Sequence, residues 1–197
     1  MRTTIATLVL LGLAAGVPAA AQNTQPLLSP PDSVKGFVGG ASIRIEYGRP
    51  SRRGRLIFGR ENGSPRPLVP YDRVWRTGAN FATRFTTAAD LTVGGQAIPA
   101  GTYTLWTLPG EKGWKLIFNK QTKAPCETAS ACADPKRANL WGTDYSADSD
   151  LVRIDMQVAA IPQPVEQLAI TLEPQGDTTV LAVAWETTRA FVTLARK

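Results

Sequence analysis

Polar and apolar residues alternate between Ser42 and Tyr47. Ile43, Ile45 and Tyr47 fall on one face and Ser42, Arg44 and Glu46 on the other, the two-residue period of a half-buried strand. Residues 81–87 form a second strand candidate. Residues 91–93 and 96–98 flank Gly94-Gly95, a two-residue hairpin signal. Strands are also predicted over 102–108 and 114–119, the latter placing Trp114, Leu116 and Phe118 on one face. Three more follow at 151–159, 167–172 and 179–186, with a short last one at 191–194. Pro99 to Tyr103 has the form of a sandwich corner, in which a Tyr hydroxyl returns to the backbone a few residues upstream. No stretch of helical period follows the N-terminal segment. Short strands separated by Gly/Pro turns predict an all-β fold, an antiparallel β-sandwich of Greek-key-like connection.

Two stretches break the pattern. Residues 48–80 are rich in glycine and proline with few periodic apolar positions, and read as a long ordered loop, a feature often tied to function. Residues 120–150 are polar and form an excursion from the sheet. The N-terminus has a third character: Arg2, an apolar run from Ile5 to Val17, then Pro18 and small residues up to Ala21. That is the pattern of a secretory leader cut after Ala21, too short and too soon interrupted for a membrane span. Residues 22–33, rich in Pro, Gln and Ser, read as a tether, and 34–197 as a single domain. The expected location is the periplasm or the medium.

Composition narrows the chemistry. The chain of 197 residues has a formal net charge of +6, with no interleaving of basic and aromatic residues of the kind that binds nucleic acid. It contains no histidine. This removes Ser-His-Asp and Cys-His nucleophiles and His-ligated zinc, and nothing implies a cofactor or resident metal. Cys126 and Cys132 lie in the polar excursion, where an oxidising compartment favours a structural disulfide over a redox or metal role.

The strongest anomaly is arginine. Arg49, Arg52, Arg53, Arg55, Arg60, Arg66, Arg73 and Arg76 occupy the long loop without a single lysine. Guanidinium groups bind carboxylate, phosphate and sulfate in bidentate fashion where lysine offers a point charge. One reading is an anion-binding loop anchored by Arg49 and Arg76, with Tyr71, Trp75 and Asn80 shaping the pocket. The other is that the arginines bond carbonyls of an irregular loop, or Glu46 and Asp72. Without histidine, catalysis would rest on carboxylates. Glu46 and Glu186, each beside an aromatic residue at a strand end, are the candidates for glycosidic cleavage if burial raises a pKa and the two meet; paired with loop arginines they are structural. Asp144, Asp148 and Asp150 lack the spacing of a calcium loop and read as a solvated turn. Of the five tryptophans, Trp141 is the one not expected in the core.

The runs Tyr47-Gly48-Arg49-Pro50-Ser51, Gly54 to Gly59, Leu68 to Asn80 and Pro99 to Tyr103 resemble the domain of unknown function 2911 family of exported bacterial proteins. The likeness continues through Trp114, Ile117-Phe118-Asn119, Leu140 to Thr143 and Ala184-Trp185-Glu186. Residues around 61–67 and from Lys123 to Asn139 depart from the family pattern as insertions, which makes the cysteine pair an individual addition. The resemblance implies the β fold and export, and assigns no residue a role. The sequence thus leads to an exported binding or envelope-interaction module for an anionic small molecule, glycan or partner. The alternative is a histidine-free hydrolase of envelope polysaccharide.

Overall fold

A computed structural model describes residues 28–123 and 140–197. Nine strands form one large sheet. In chain order they are β1 (Pro31–Val38), β2 (Ala41–Gly48), β5 (Thr83–Thr87), β6 (Leu91–Val93), β7 (Gln96–Ile98), β8 (Gly101–Leu108), β9 (Trp114–Asn119), β10 (Asp150–Gln175) and β11 (Thr178–Arg196). The omitted numbers belong to the long loop, where β3 (Phe58–Gly59) and β4 (Val69–Pro70) form a small parallel pair. Across the large sheet the order is β1-β2-β5-β8-β9-β10-β11-β6-β7, and every pairing in it is antiparallel. The all-β class read from sequence is therefore correct. Among the described residues no helix is long and apolar enough to cross a membrane.

β10 joins the two halves of the sheet. Up to Met156 it pairs with β9, and from Gln157 onward with β11. The chain also passes from β5 to the β6–β7 hairpin beside β11, then returns to β8, which pairs with β5. The inner faces of both halves feed one core: Ile43, Ile45, Phe85, Leu116 and Phe118 from one, Leu91, Val93, Leu168, Ile170, Leu181 and Trp185 from the other. Each side chain of this size contributes about 1.5–3 kcal/mol when fully withdrawn from water. A satellite cluster of Ala82, Trp106, Ile117 and Leu140 lies apart from it.

Two sequence expectations change. β1 begins at Pro31, inside the segment read as tether, and pairs with β2 along its whole length. Its inward-leaning positions are Asp32, Val34, Gly36 and Val38, so an acid and a glycine interrupt the apolar alternation. The three terminal strands and the short fourth are two long ones. The gaps left between 159 and 167 and between 186 and 191 lie within β10 and β11, where the register shifts between Ala160 and Val165 and again before Ala169. Prolines are tolerated at such bulges because no ladder donor is required there. The cysteines Cys126 and Cys132 lie outside the described residues, as do the leader and residues 22–27 of the tether.

The strand pattern of β2 and both turns match the expectation. Ile43, Ile45 and Tyr47 are buried, Ser42 is exposed, and Arg44 and Glu46 are half-buried. The Gly94-Gly95 hairpin forms with both glycines at positive φ. At the corner, the Tyr103 hydroxyl donates to the carbonyl of Pro99 at 2.9 Å.

Candidate functional site

The loop from 49 to 80 is held in place by its own unusual backbone. Arg53, Asp72, Thr77 and Asn80 all have positive φ, a conformation that costs about 1–3 kcal/mol unless the surroundings enforce it. Thr77 is the clearest case, because β-branched residues rarely adopt it. It is fully buried, its hydroxyl donates to Oγ1 of Thr107 at 3.2 Å, and its carbonyl accepts from Oγ1 of Thr83 at 3.0 Å. Trp75 forms a two-way backbone bridge to Thr107. The loop is thereby fixed to β5 and β8, and the residues from Trp75 to Asn80 are pre-positioned.

Beside this stretch lies a cavity of about 280 Å³. Its wall carries Arg55, Trp75, Arg76, Asn80 and Trp185, with Leu68 at the apolar side. The indoles of Trp75 and Trp185 stack at 5.8 Å between centroids and 19° between planes. Both ring nitrogens are already used, donating to the carbonyls of Gly78 and Glu166, and Trp185 is buried, so the surface left to the cavity is chiefly the apolar ring of Trp75. The cavity is lined by two guanidinium groups and no carboxylate. Arg55 donates to the carbonyls of Ser51 and Arg52, and Arg76 donates to the carbonyl of Asn80 at 3.0 Å. Among the described residues neither forms an ion pair. Burial holds the pKa of the Arg76 guanidinium below its ordinary value, the direction expected of a cation removed from water.

The structure brings together three of the five residues read as a binding set: Trp75, Arg76 and Asn80. It places the other two elsewhere. Arg49 donates from Nε to the carbonyl of Leu168 at 2.9 Å, and its Nη1 lies 3.4 Å from Asp32. Tyr71 packs against the core and lines two other depressions, near Gly110 and Arg60. Most other loop arginines have partners in the fold: Arg52 meets Glu186 at 3.1 Å, Arg60 meets Glu111, and Arg66 and Arg73 meet Glu61. Carbonyl bonds and ion pairs thus account for most of the run, and the carboxylates that take part are Asp32, Glu61, Glu111 and Glu186 in place of the expected Glu46 and Asp72. Arg55 belongs to that run, but nothing in its spacing singles it out. Trp185 is distant in sequence and reaches the cavity only because β11 closes beside the loop.

Glu46 and Glu186 line no common cavity. Glu46 bonds Arg44 at 2.7 Å, and that bond outweighs burial and holds its carboxyl below the usual value of 4.5. A general acid needs the opposite shift. Glu186, at positive φ within β11, is paired to Arg52. Among the described residues no three acidic or cysteine side chains converge as a cation site. Asp150 instead receives Asn119, Tyr145 and Arg153. Trp141 is exposed, as expected, and meets Phe81 edge to face.

Comparison with known families gives one match. Residues 29–194 match the family described as "Protein of unknown function (DUF2911)", and the chain belongs to that family. No curated protein matches, and no solved structure matches.

Proposed function

We propose that the protein is an exported binding module of the periplasm or medium that takes an anionic ligand in the cavity between the long loop and β11. The observation that carries this reading is the cavity's lining: two guanidinium groups, a stacked pair of indoles and no carboxylate. Arg76 is half-buried without a counter-charge among the described residues, so an incoming oxyanion restores what desolvation removed. The loop is fixed before binding, which lowers the ordering cost of recognition. The leader-like N-terminus supports export.

The test is a thermal-shift screen of the full chain against phosphate, sulfate, small carboxylates, uronic acids and sulfated sugars. A ligand at 100 times its Kd adds about 2.7 kcal/mol, a rise of roughly 5–10 °C for a domain of this size. The expected result is a saturable rise with at least one anion that disappears in Arg76→Ala. Silence across the whole panel, or a rise that Arg76→Ala leaves intact, refutes the reading.

A further inference from the structure

A second and larger cavity, about 540 Å³, opens on the outer side of β1, β2 and β5. Ala79 and Asn80 line both it and the arginine cavity, so the two adjoin at the end of the long loop. The charges of the second cavity differ from those of the first. Beside Arg44 and Arg84 it contains the carboxylate residue Glu46, and Arg44 and Glu46 are bonded to each other at 2.7 Å. Bonded side by side at the wall, a guanidinium and a carboxylate offer donors and acceptors close together. That suits neighbouring hydroxyl groups better than a second anion.

Phe81 lines the same cavity and extends it with an aromatic surface. Phe81 is 41% exposed and Trp141 44%, their rings 5.1 Å apart and nearly perpendicular. Backbone bonds fix the pair: Ala82 N donates to the carbonyl of Leu140 at 2.9 Å, and Gly142 N to that of Asn80 at 3.0 Å. Two large aromatics held at the surface by the backbone, away from the core, form a rigid platform of the kind that binding surfaces use.

We infer that the ligand is an acidic oligosaccharide of two or more units. Its carboxylate-bearing sugar occupies the Arg55 and Arg76 cavity, and a neighbouring sugar lies against Phe81 and Trp141 with its hydroxyls toward Arg44 and Glu46. This rests on the anion-binding reading above and adds the class of ligand to it. The aromatic faces meet the C–H face of a sugar ring, the paired charges meet its hydroxyls, and Asn80 stands where the two cavities adjoin. A ligand that engages both subsites gains over either fragment, because the second contact is intramolecular.

The experiment is calorimetric titration of the full chain with glucuronate, with oligomers in which one glucuronate is linked to one, two or three neutral sugars, and with inorganic phosphate and sulfate. The expected result is that an oligomer binds at least about tenfold tighter than the monomer. Phe81→Ala and Trp141→Ala should each remove about three- to tenfold of the oligomer's affinity while leaving the monomer unchanged. Arg76→Ala should weaken both. Equal affinity for monomer and oligomer in the unaltered protein overturns the extended site and leaves the anion site standing. Binding of phosphate or sulfate with no binding of any uronate overturns the sugar assignment in the same way. If no anion binds at all, the anion site itself fails and this inference with it.

Discussion

Gly142 lies directly against the guanidinium of Arg76. A Cβ built on Gly142 would stand 2.6 Å from Nε and 2.7 Å from Nη1, so the flat face of the arginine rests on bare backbone. Gly142 also anchors the segment by donating to the carbonyl of Asn80, the same carbonyl that receives Arg76. The glycine therefore sets where the cavity's most buried charge points.

Gly142→Ala is expected to displace Arg76 with little loss of stability. The obstructed atoms belong to a flexible side chain that can swing aside, and Gly142 is not among the residues at positive φ. The melting temperature should change by no more than about 2–3 °C. Affinity for the anion found in the screen should fall about tenfold, the effect of about 1.4 kcal/mol. Unchanged affinity would mean that the position of Arg76 does not matter to binding.

The Tyr103 hydroxyl reaches the Pro99 carbonyl across the turn into β8. Tyr103 is otherwise buried against Phe118, so Tyr103→Phe removes one hydrogen bond and keeps the packing. The expected cost is about 0.5–1.5 kcal/mol, somewhat more if the carbonyl finds no water. It should appear as a lower urea midpoint with an unchanged slope. An unaltered midpoint would show that the corner is held by packing alone.

The strands legible from sequence are those whose inner positions are uniformly apolar, as at Ile43, Ile45 and Tyr47. β1 is illegible for the converse reason. Asp32 leans inward because Tyr47 and Arg49 meet it there, and Gly36 does so because Leu172 packs against its bare Cα. Pro162 and Pro164 signal a break, but a bulge absorbs them in β10 without ending the strand. At the site, Trp75, Arg76 and Asn80 are close in sequence and share one rigid loop, so local pattern is enough to group them. Arg49 is chemically indistinguishable from Arg55 in a list of arginines. Only the tertiary partners, the Leu168 carbonyl and Asp32 for one and the cavity wall for the other, tell them apart. Trp185 meets Trp75 through closure of the sheet, which no local window contains.

Gly48 is where the long loop returns against β2. A Cβ there would meet the backbone of Ala79, with the carbonyl carbon at 2.9 Å and the nitrogen at 3.3 Å. Ala79 N donates to the Gly48 carbonyl across the same contact. Backbone cannot swing aside as a side chain does. Gly48→Ala is expected to destabilise by about 1–3 kcal/mol, lowering the melting temperature by roughly 3–10 °C. Gly113→Ala is the comparison, since nothing lies within 4 Å of its added carbon, and it should melt like the unaltered protein. Equal melting of both variants would contradict the close approach of loop and strand.

Tyr145 gives the fold a dependence on alkaline pH. Its hydroxyl donates to Oδ2 of Asp150 at 2.7 Å and accepts from Nη2 of Arg153 at 2.8 Å, while its ring packs on Trp106. Burial first, then the bond to Asp150 and the charge behind it, push the phenol up from 10.0 to about 12. Folding thus favours the protonated form. The stability this contributes is fully present below pH 10 and is lost as pH rises from 10 toward about 12, where the folded form also ionises. Tyr145→Phe carries no such term. In urea unfolding at pH 8, 10 and 11, the gap between the unaltered protein and Tyr145→Phe should stay constant up to about pH 10 and narrow at 11. A gap that is constant across all three would show that Tyr145 ionises alike in the folded and unfolded chain, and that its bond to Asp150 does not hold the proton.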